Sequence, residues 1–152
     1  MGQTALRSAV STRADTVVRA AREWIGTPYH HQASRKGIGT DCLGLVRGVW
    51  RDVCGDEPQA PPPYSRDWTV GGETLLAAAR HHFDEVPATE ATPGDVLVFR
   101  YRPNLPAKHC GVLVTPTRFI HATEGAAVSE VPFSNWWRRR VAGVFRFPNE
   151  GR

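Results

Sequence analysis

Lys108-His109-Cys110-Gly111-Val112-Leu113-Val114-Thr115-Pro116-Thr117-Arg118-Phe119-Ile120-His121-Ala122 is the stretch whose reading decides the fold. Two apolar runs, Gly111 to Val114 and Phe119 to Ala122, carry β-branched and aromatic residues and are split by Thr115-Pro116-Thr117. Runs this short, of that composition and broken at a proline, read as two strands of a hairpin. With a three-residue connection, Gly111 faces His121, and His109 lies diagonal to His121 on the same face. The inference depends on the loop, because one residue more or fewer sends His121 to the other side of the sheet.

Working outward, Val96 to Phe99, Ala127 to Val131 and Val141 to Phe147 are further short apolar runs and read as strands. Upstream the period changes. From Thr12 to Ile25, Val17, Ala20, Ala21 and Trp24 recur at three and four residues, an amphipathic helix that ends near Gly26 and is stopped by Thr27-Pro28. A polar loop with glycines, Tyr29 to Thr40, leads to Asp41-Cys42-Leu43-Gly44-Leu45-Val46. From there Val46, Val49, Trp50 and Val53 continue a helical stripe to Gly55. Asp56 to Trp68 holds Pro58, Pro61, Pro62 and Pro63 and reads as an extended surface connection. Glu73 to Phe83 reads as a third, shorter helix. Helices first and strands second imply an α+β fold, the N-terminal helices packed on one side of an antiparallel β-sheet. A chain of 152 residues, 41% hydrophobic, fits one domain over residues 1–152.

No run approaches the roughly 18 uncharged apolar residues of a membrane span, and the N-terminal MGQTALRSAVSTRADTVV has no apolar secretory core. MGQTAL also lacks the serine or threonine of a myristoylation signal. The expectation is synthesis in the cytoplasm without a signal peptide. Three cysteines, Cys42, Cys54 and Cys110, argue against a disulfide framework and leave a free thiol. The net charge of +4 comes almost wholly from arginine, since Lys36 and Lys108 are the only lysines. Such a surface suits anionic partners without choosing among them, and it equally suits a source genome biased toward arginine codons.

A cysteine is a good nucleophile only as thiolate, and the first turn of a helix favours that ion. Cys42 has that place, although free cysteine is also a common small buried hydrophobe. Glycines 37, 39 and 44 nearby allow close backbone approach. His109 and His121 supply a base and a group to hold the base's second nitrogen, the logic of a catalytic triad. A zinc site is not expected: no Cys-x-x-Cys or His-x-x-x-His pair is present, and adjacent His109 and Cys110 point to opposite strand faces. His30-His31 and His81-His82 read as exposed polar residues, the first pair near enough to Tyr29 to line a cleft. Cys54, close to a helix end, reads as packing. Arg138-Arg139-Arg140 beside Trp136 and Trp137 reads as a solvated turn, a protein-docking patch or a phosphate site.

Five ordered blocks, Trp24-Ile25-Gly26-Thr27-Pro28-Tyr29, Asp41-Cys42-Leu43-Gly44-Leu45-Val46, Pro93-Gly94-Asp95-Val96-Leu97-Val98-Phe99, His109-Cys110-Gly111-Val112 and Ile120-His121-Ala122, resemble those of NlpC/P60 cysteine peptidases. The resemblance implies a papain-like fold with Cys42 as nucleophile, His109 as base and His121 as the orienting third residue. It also implies that Tyr29 lies near the oxyanion and that Asp41 helps to bind a substrate amine. Leu43 stands where the family usually has serine, and His31, Gln32 and Ala33 stand near its usual Trp-Gly-Gly, so the departures fall on substrate contacts. The implied activity is peptidoglycan endopeptidase, at the γ-D-glutamyl–diaminopimelate bond of the stem peptide, with no cofactor and no metal. The variants His31-Gln32-Ala33-Ser34, Asp41 to Gly48 and Trp136 to Arg140 are most similar to small members carried by phage tails and gene transfer agents. Expected partners are therefore peptidoglycan stem peptides and proteins of a tail tip or baseplate, with nucleic acid not expected. Expected localisation is a phage-like particle acting in the wall or periplasm of its target cell. The alternatives are a structural tail subunit with little activity and a peptidoglycan amidase on the same fold.

Overall fold

In a computed structural model, residues 12–58, 61 and 71–149 are described. Most of the proline-rich connection read at Asp56 to Trp68 lies outside them.

Helix α1, Arg13–Arg22, opens on a reciprocal cap. The Asp15 N–H donates to Thr12 Oγ1 at 3.0 Å and the Thr12 N–H donates to Asp15 Oδ2 at 3.3 Å, so two otherwise orphaned donors are satisfied. The chain leaves through a turn at Gly26, whose φ of +91° is open to glycine without strain. A two-stranded hairpin follows, β1 Ser34–Arg35 and β2 Gly39–Thr40. Helix α2, Cys42–Cys54, matches the helix read from its apolar stripe, and helix α3, Thr74–His82, lies within the shorter helix read at Glu73 to Phe83.

The remaining strands are β3 Asp84–Val86, β4 Asp95–Phe99, β5 His109–Thr115, β6 Arg118–His121, β7 Ser129–Pro132 and β8 Val141–Arg146. They form one antiparallel sheet in the order β3-β8-β4-β5-β6-β7. A 3-10 turn, Ala88–Glu90, and a short helix α4, Asn135–Arg138, lie between strands. All five expected strands are present. The short β1, β2 and β3 and the one-turn α4 are additions, because two to four residues carry no readable period.

The hairpin corrects one detail of the sequence reading. Gly111 does face His121, but the connection is two residues, Pro116-Thr117, closed by the Thr115–Arg118 pair. The register shifts between Leu113 and Thr115, so an extra residue in β5 makes up for the shorter turn. The face assignment of His121 survives for that reason.

One face of the sheet presents Val96, Val98, Cys110, Val112 and Ile120 to Val17, Ala21 and Trp24 of the α1 segment, Leu45 and Val49 of α2, and Leu76 of α3. The other face is also buried: Leu97, Phe99, Leu113, Phe119 and Val144 form a second cluster with Phe133, closed by Trp137. Burial on both faces explains why β4 and β5 read as continuous apolar runs instead of alternating. The Pro93-Gly94-Asp95 block joins the layers. A Cβ on Gly94 would sit 2.9 Å from the Ala14 Cα of α1, and buried Asp95 takes both Nε and Nη2 of Arg146, at 2.9 and 3.0 Å. No helix among the described residues is long and apolar enough to cross a membrane.

Candidate active site

The site is built where the start of α2 meets the start of β5. Asp41 caps α2 with extended backbone, and its Oδ1 accepts the Gly44 N–H at 2.7 Å. Its Oδ2 accepts the Gln32 N–H at 2.7 Å, which fixes a tight turn in which Gln32 takes φ of +65°. The side chain is 2% exposed, and His31 Nδ1 lies 3.9 Å from Oδ2. Asp41 is thus placed first as the clamp that orients the residue after it. The same turn is pressed against the helix. A Cβ on Gly44 would meet the Ala33 carbonyl oxygen at 1.9 Å.

Cys42 occupies the first helical position, where its backbone N–H has no intrahelical acceptor and the helix dipole favours an anion. It is partly exposed. Its thiol lies 3.7 Å from the Lys108 carbonyl oxygen. The Cys42 thiol is held well below the ordinary range, first by a hydrogen bond from Cys110, then by the hydrogen bond and positive charge of His109, which together outweigh desolvation. The Cys110 thiol is pushed well above its ordinary range by the same contact and by burial, so the proton belongs to Cys110 and the charge to Cys42.

His109 is 2% exposed at the head of β5. Its Nε2 lies 2.8 Å from Nδ1 of His121, which leaves Nδ1 of His109 as the nitrogen available to the thiol. The ring packs beside an aromatic pair, Phe99, centroid 5.8 Å away and inclined 29°, and Trp137, 5.5 Å away and inclined 31°, which themselves touch at 4.8 Å. Trp137 also stands edge-on to His121 at 5.2 Å. Burial, aided by the charge of His109, pushes the pKa of His121 down to about 3, so it is neutral at neutral pH. A neutral His121 can present a bare Nδ1 to a doubly protonated His109, which is what an imidazolium beside a thiolate requires. Gly111 makes room for this pair: a Cβ there would lie 3.2 Å from that of His121 and 2.7 Å from the Ile120 carbonyl oxygen.

The sequence-read residues Cys42, His109 and His121 are therefore brought into one line. Tyr29 reaches the neighbourhood through a bridge to Thr40, two residues before Cys42, and is partly buried against the helix-side core. Leu43 is partly buried in the first turn of α2. Cys54 is partly buried at the far end of that helix, its Sγ 3.7 Å from Arg13 Nη1. His81 and His82 close α3. Cys110 does point to the face opposite His109, and that sends it beneath Cys42, donating to the Cys42 carbonyl oxygen at 3.3 Å. Strand parity carried this signal; the contact itself depends on how α2 sits on β5. The Arg138–Arg140 run is not a plain solvated turn. Arg138 lies 4.3 Å over Phe133 and donates to its carbonyl, and Arg140 lies 3.7 Å over Trp136. Among the described residues, no group of three or more His, Cys, Asp or Glu side chains is placed to hold a metal ion.

A family model described as the NlpC/P60 family matches residues 26–146. Gamma-DL-glutamyl hydrolase of Bacillus subtilis (strain 168) is 29% identical over 134 residues, which cover 88% of this chain and 29% of that protein. The probable endopeptidase NlpC of Escherichia coli (strain K12) is 26% identical over 120 residues, 78% of this chain and 68% of that one. The chain thus spans less than a third of the length of the Bacillus relative. Among solved structures, the NlpC/p60 domain of the peptidoglycan hydrolase SagA superposes with a TM-score of 0.65 at 21% identity, covering 88% of this chain and 98% of that domain. The peptidoglycan hydrolase RipB of Mycobacterium tuberculosis gives 0.62 at 20% identity, covering 93% and 70%. At these identities the superpositions establish the papain-like α+β architecture.

Proposed function

The chain belongs to the NlpC/P60 family, and from that premise we propose that it is a cysteine peptidase that hydrolyses an amide in the peptide stems of peptidoglycan, at the γ-D-glutamyl–diaminopimelate bond. The observation that carries the reading is the line of Cys42, His109 and His121, with the two imidazoles 2.8 Å apart. The Cys42 thiolate attacks the carbonyl carbon, and the oxyanion meets the Cys42 backbone N–H, with Tyr29 on the adjoining segment. His109 gives its proton to the departing amine. A thioacyl enzyme remains, which water, deprotonated by His109, hydrolyses to the carboxylate and free thiol. Throughout, His121 stays neutral and holds the imidazole's other nitrogen.

The γ-glutamyl side of the bond is supported by the name of the Bacillus relative, a gamma-DL-glutamyl hydrolase, and the polymer by the peptidoglycan hydrolases among the superposed structures. The setting we propose is a phage-like tail tip or baseplate that carries the enzyme to the wall of a target cell. It rests on the resemblance at His31-Gln32-Ala33-Ser34, Asp41 to Gly48 and Trp136 to Arg140. Leu43, in place of the family's serine, is what favours the second reading of a structural subunit.

Digestion of purified peptidoglycan, with fragments read by mass spectrometry, tests this. The wild type is expected to release fragments with new γ-D-glutamyl termini, and Cys42→Ala none. Intact stems with wild type would favour the structural subunit, and loss of the whole stem from the glycan would favour an amidase. Antibody detection in purified particles tests the setting.

A further inference from the structure

The mechanism uses one thiol, yet the structure places two together. Cys110 follows His109 on β5, so strand parity turns its side chain to the helix-facing side of the sheet. There it is 1% exposed and packed beneath the head of α2, donating to the Cys42 carbonyl oxygen at 3.3 Å. Each thiol also shifts the other's pKa, Cys42 downward and Cys110 upward. Cys42 is partly open to solvent, and Cys110 is sealed behind it. The third thiol, Cys54, closes the same 13-residue helix, about 18 Å along its axis from Cys42, beyond the reach of a disulfide. A small apolar side chain would fill the Cys110 position equally well, so the adjacency of a second thiol to the nucleophile is the feature with chemical content.

We propose that Cys42 and Cys110 form a reversible disulfide in the presence of peroxide, with Cys110 as the resolving thiol that masks and protects the active site. This rests on reading Cys42 as a reactive thiolate.

In the first step the Cys42 thiolate attacks one oxygen of a hydroperoxide. The S–O bond forms, the O–O bond breaks and the departing oxygen takes a proton; sulfur is oxidised to sulfenic acid and the peroxide is reduced. In the second, the Cys110 sulfur attacks the Cys42 sulfur. The S–S bond forms, the S–O bond breaks, and the oxygen leaves as water with the Cys110 proton. The order is built in. The charge on Cys42 is one of the causes that keep Cys110 protonated. Conversion of that thiolate to a neutral sulfenic acid removes this cause, so the Cys110 proton is held less tightly at the second step. Closure requires the two sulfurs to approach to about 2 Å, and Cys110 Sγ already lies 3.3 Å from the backbone oxygen of Cys42.

The test treats the full chain with hydrogen peroxide, blocks residual thiols, and maps peptides by mass spectrometry. For wild type the expected product is a cross-linked Cys42–Cys110 peptide, lighter by two hydrogens, with two of the three thiols lost to titration and both restored by dithiothreitol. In Cys110→Ala and in Cys110→Val, Cys42 instead gains two or three oxygens and dithiothreitol restores nothing. Wild type that goes straight to those over-oxidised forms, or pairs Cys42 with Cys54, overturns the proposal. Iodoacetamide alkylation of reduced protein separates the two levels. If Cys42 is alkylated no faster than Cys54, the nucleophile reading falls and this inference with it. If Cys42 is fast and no disulfide forms, only this inference falls.

Discussion

A catalytic imidazole that passes through a doubly protonated state needs an acceptor on its far side, and His121 can serve only while it is uncharged. Burial and the neighbouring His109 secure that by lowering its pKa to about 3 from an ordinary 6.5. In the unfolded chain His121 binds its proton near the ordinary value. Between the two values the unfolded state therefore holds more protons, and stability falls as pH falls. The contribution is fully present above about pH 6.5 and is lost by roughly 1.4 kcal/mol per pH unit toward pH 3. Urea unfolding of wild type and His121→Asn over this range is expected to show a flatter profile in the variant. An equal slope in both would remove burial of a neutral imidazole as the cause. Asparagine also supplies an acceptor oxygen, so His121→Asn should keep more of kcat/KM than His121→Ala, by about 10-fold or more. At this scale the sequence was informative where the chemistry is local. Cys42 at a helix start and two histidines on one hairpin face were readable, whereas the thiol under Cys42 and the indole behind His109 depend on contacts between segments far apart in the chain.

Helix α2 shows how an element is tuned to deliver one residue. Its N-terminus is fixed by Asp41 and its first turn lies against the Ala33 carbonyl, while its middle passes over Trp24. That indole is 2% exposed and its Nε1 donates to Asp52 Oδ2, on the same helix, at 3.2 Å. A Cβ on Gly48 would come within 1.9 Å of the ring. Glycine inside a helix ordinarily costs about 1 kcal/mol relative to alanine, so Gly→Ala is normally stabilising. Here the sign should reverse: overpacking of about 1–3 kcal/mol exceeds the propensity gain, and Gly48→Ala is expected to lower the midpoint of thermal unfolding. A raised midpoint would show that Trp24 yields freely. The existence of α1 and α2 followed from apolar period, although α1 ends at Arg22, short of the Ile25 expected from the stop at Thr27-Pro28. The hairpin was harder, because turn length and bulge trade against each other, and only their sum fixes which face His121 takes.

Across the whole molecule the catalytic line lies at the junction of two hydrophobic layers, and each contributes a different part. The helix-side core positions Cys42 through α2, and the far-side cluster positions the two histidines through Phe99, Phe119 and Trp137. The sequence identified the first layer, since helices precede strands. It was silent on the second, whose cover is a one-turn helix and a loop without period. Trp137 is where this layer touches chemistry, being in ring contact with Phe99, His109, Phe119 and His121. Truncation to alanine removes packing worth about 2–4 kcal/mol and also the wall that keeps His109 facing Cys42. The expected result is a loss in kcat greater than any rise in KM, because the reacting groups are loosened while Tyr29 and Asp41 keep their supports. The pH profile of Cys42 alkylation should shift upward as the imidazolium moves off the thiol, a change that lowered stability alone does not produce. Trp137→Phe, which keeps an aromatic wall, should restore most of that profile even if stability stays below wild type. A profile unchanged in Trp137→Ala would mean that Phe99 and His121 suffice to hold the base, and that the second layer serves stability alone.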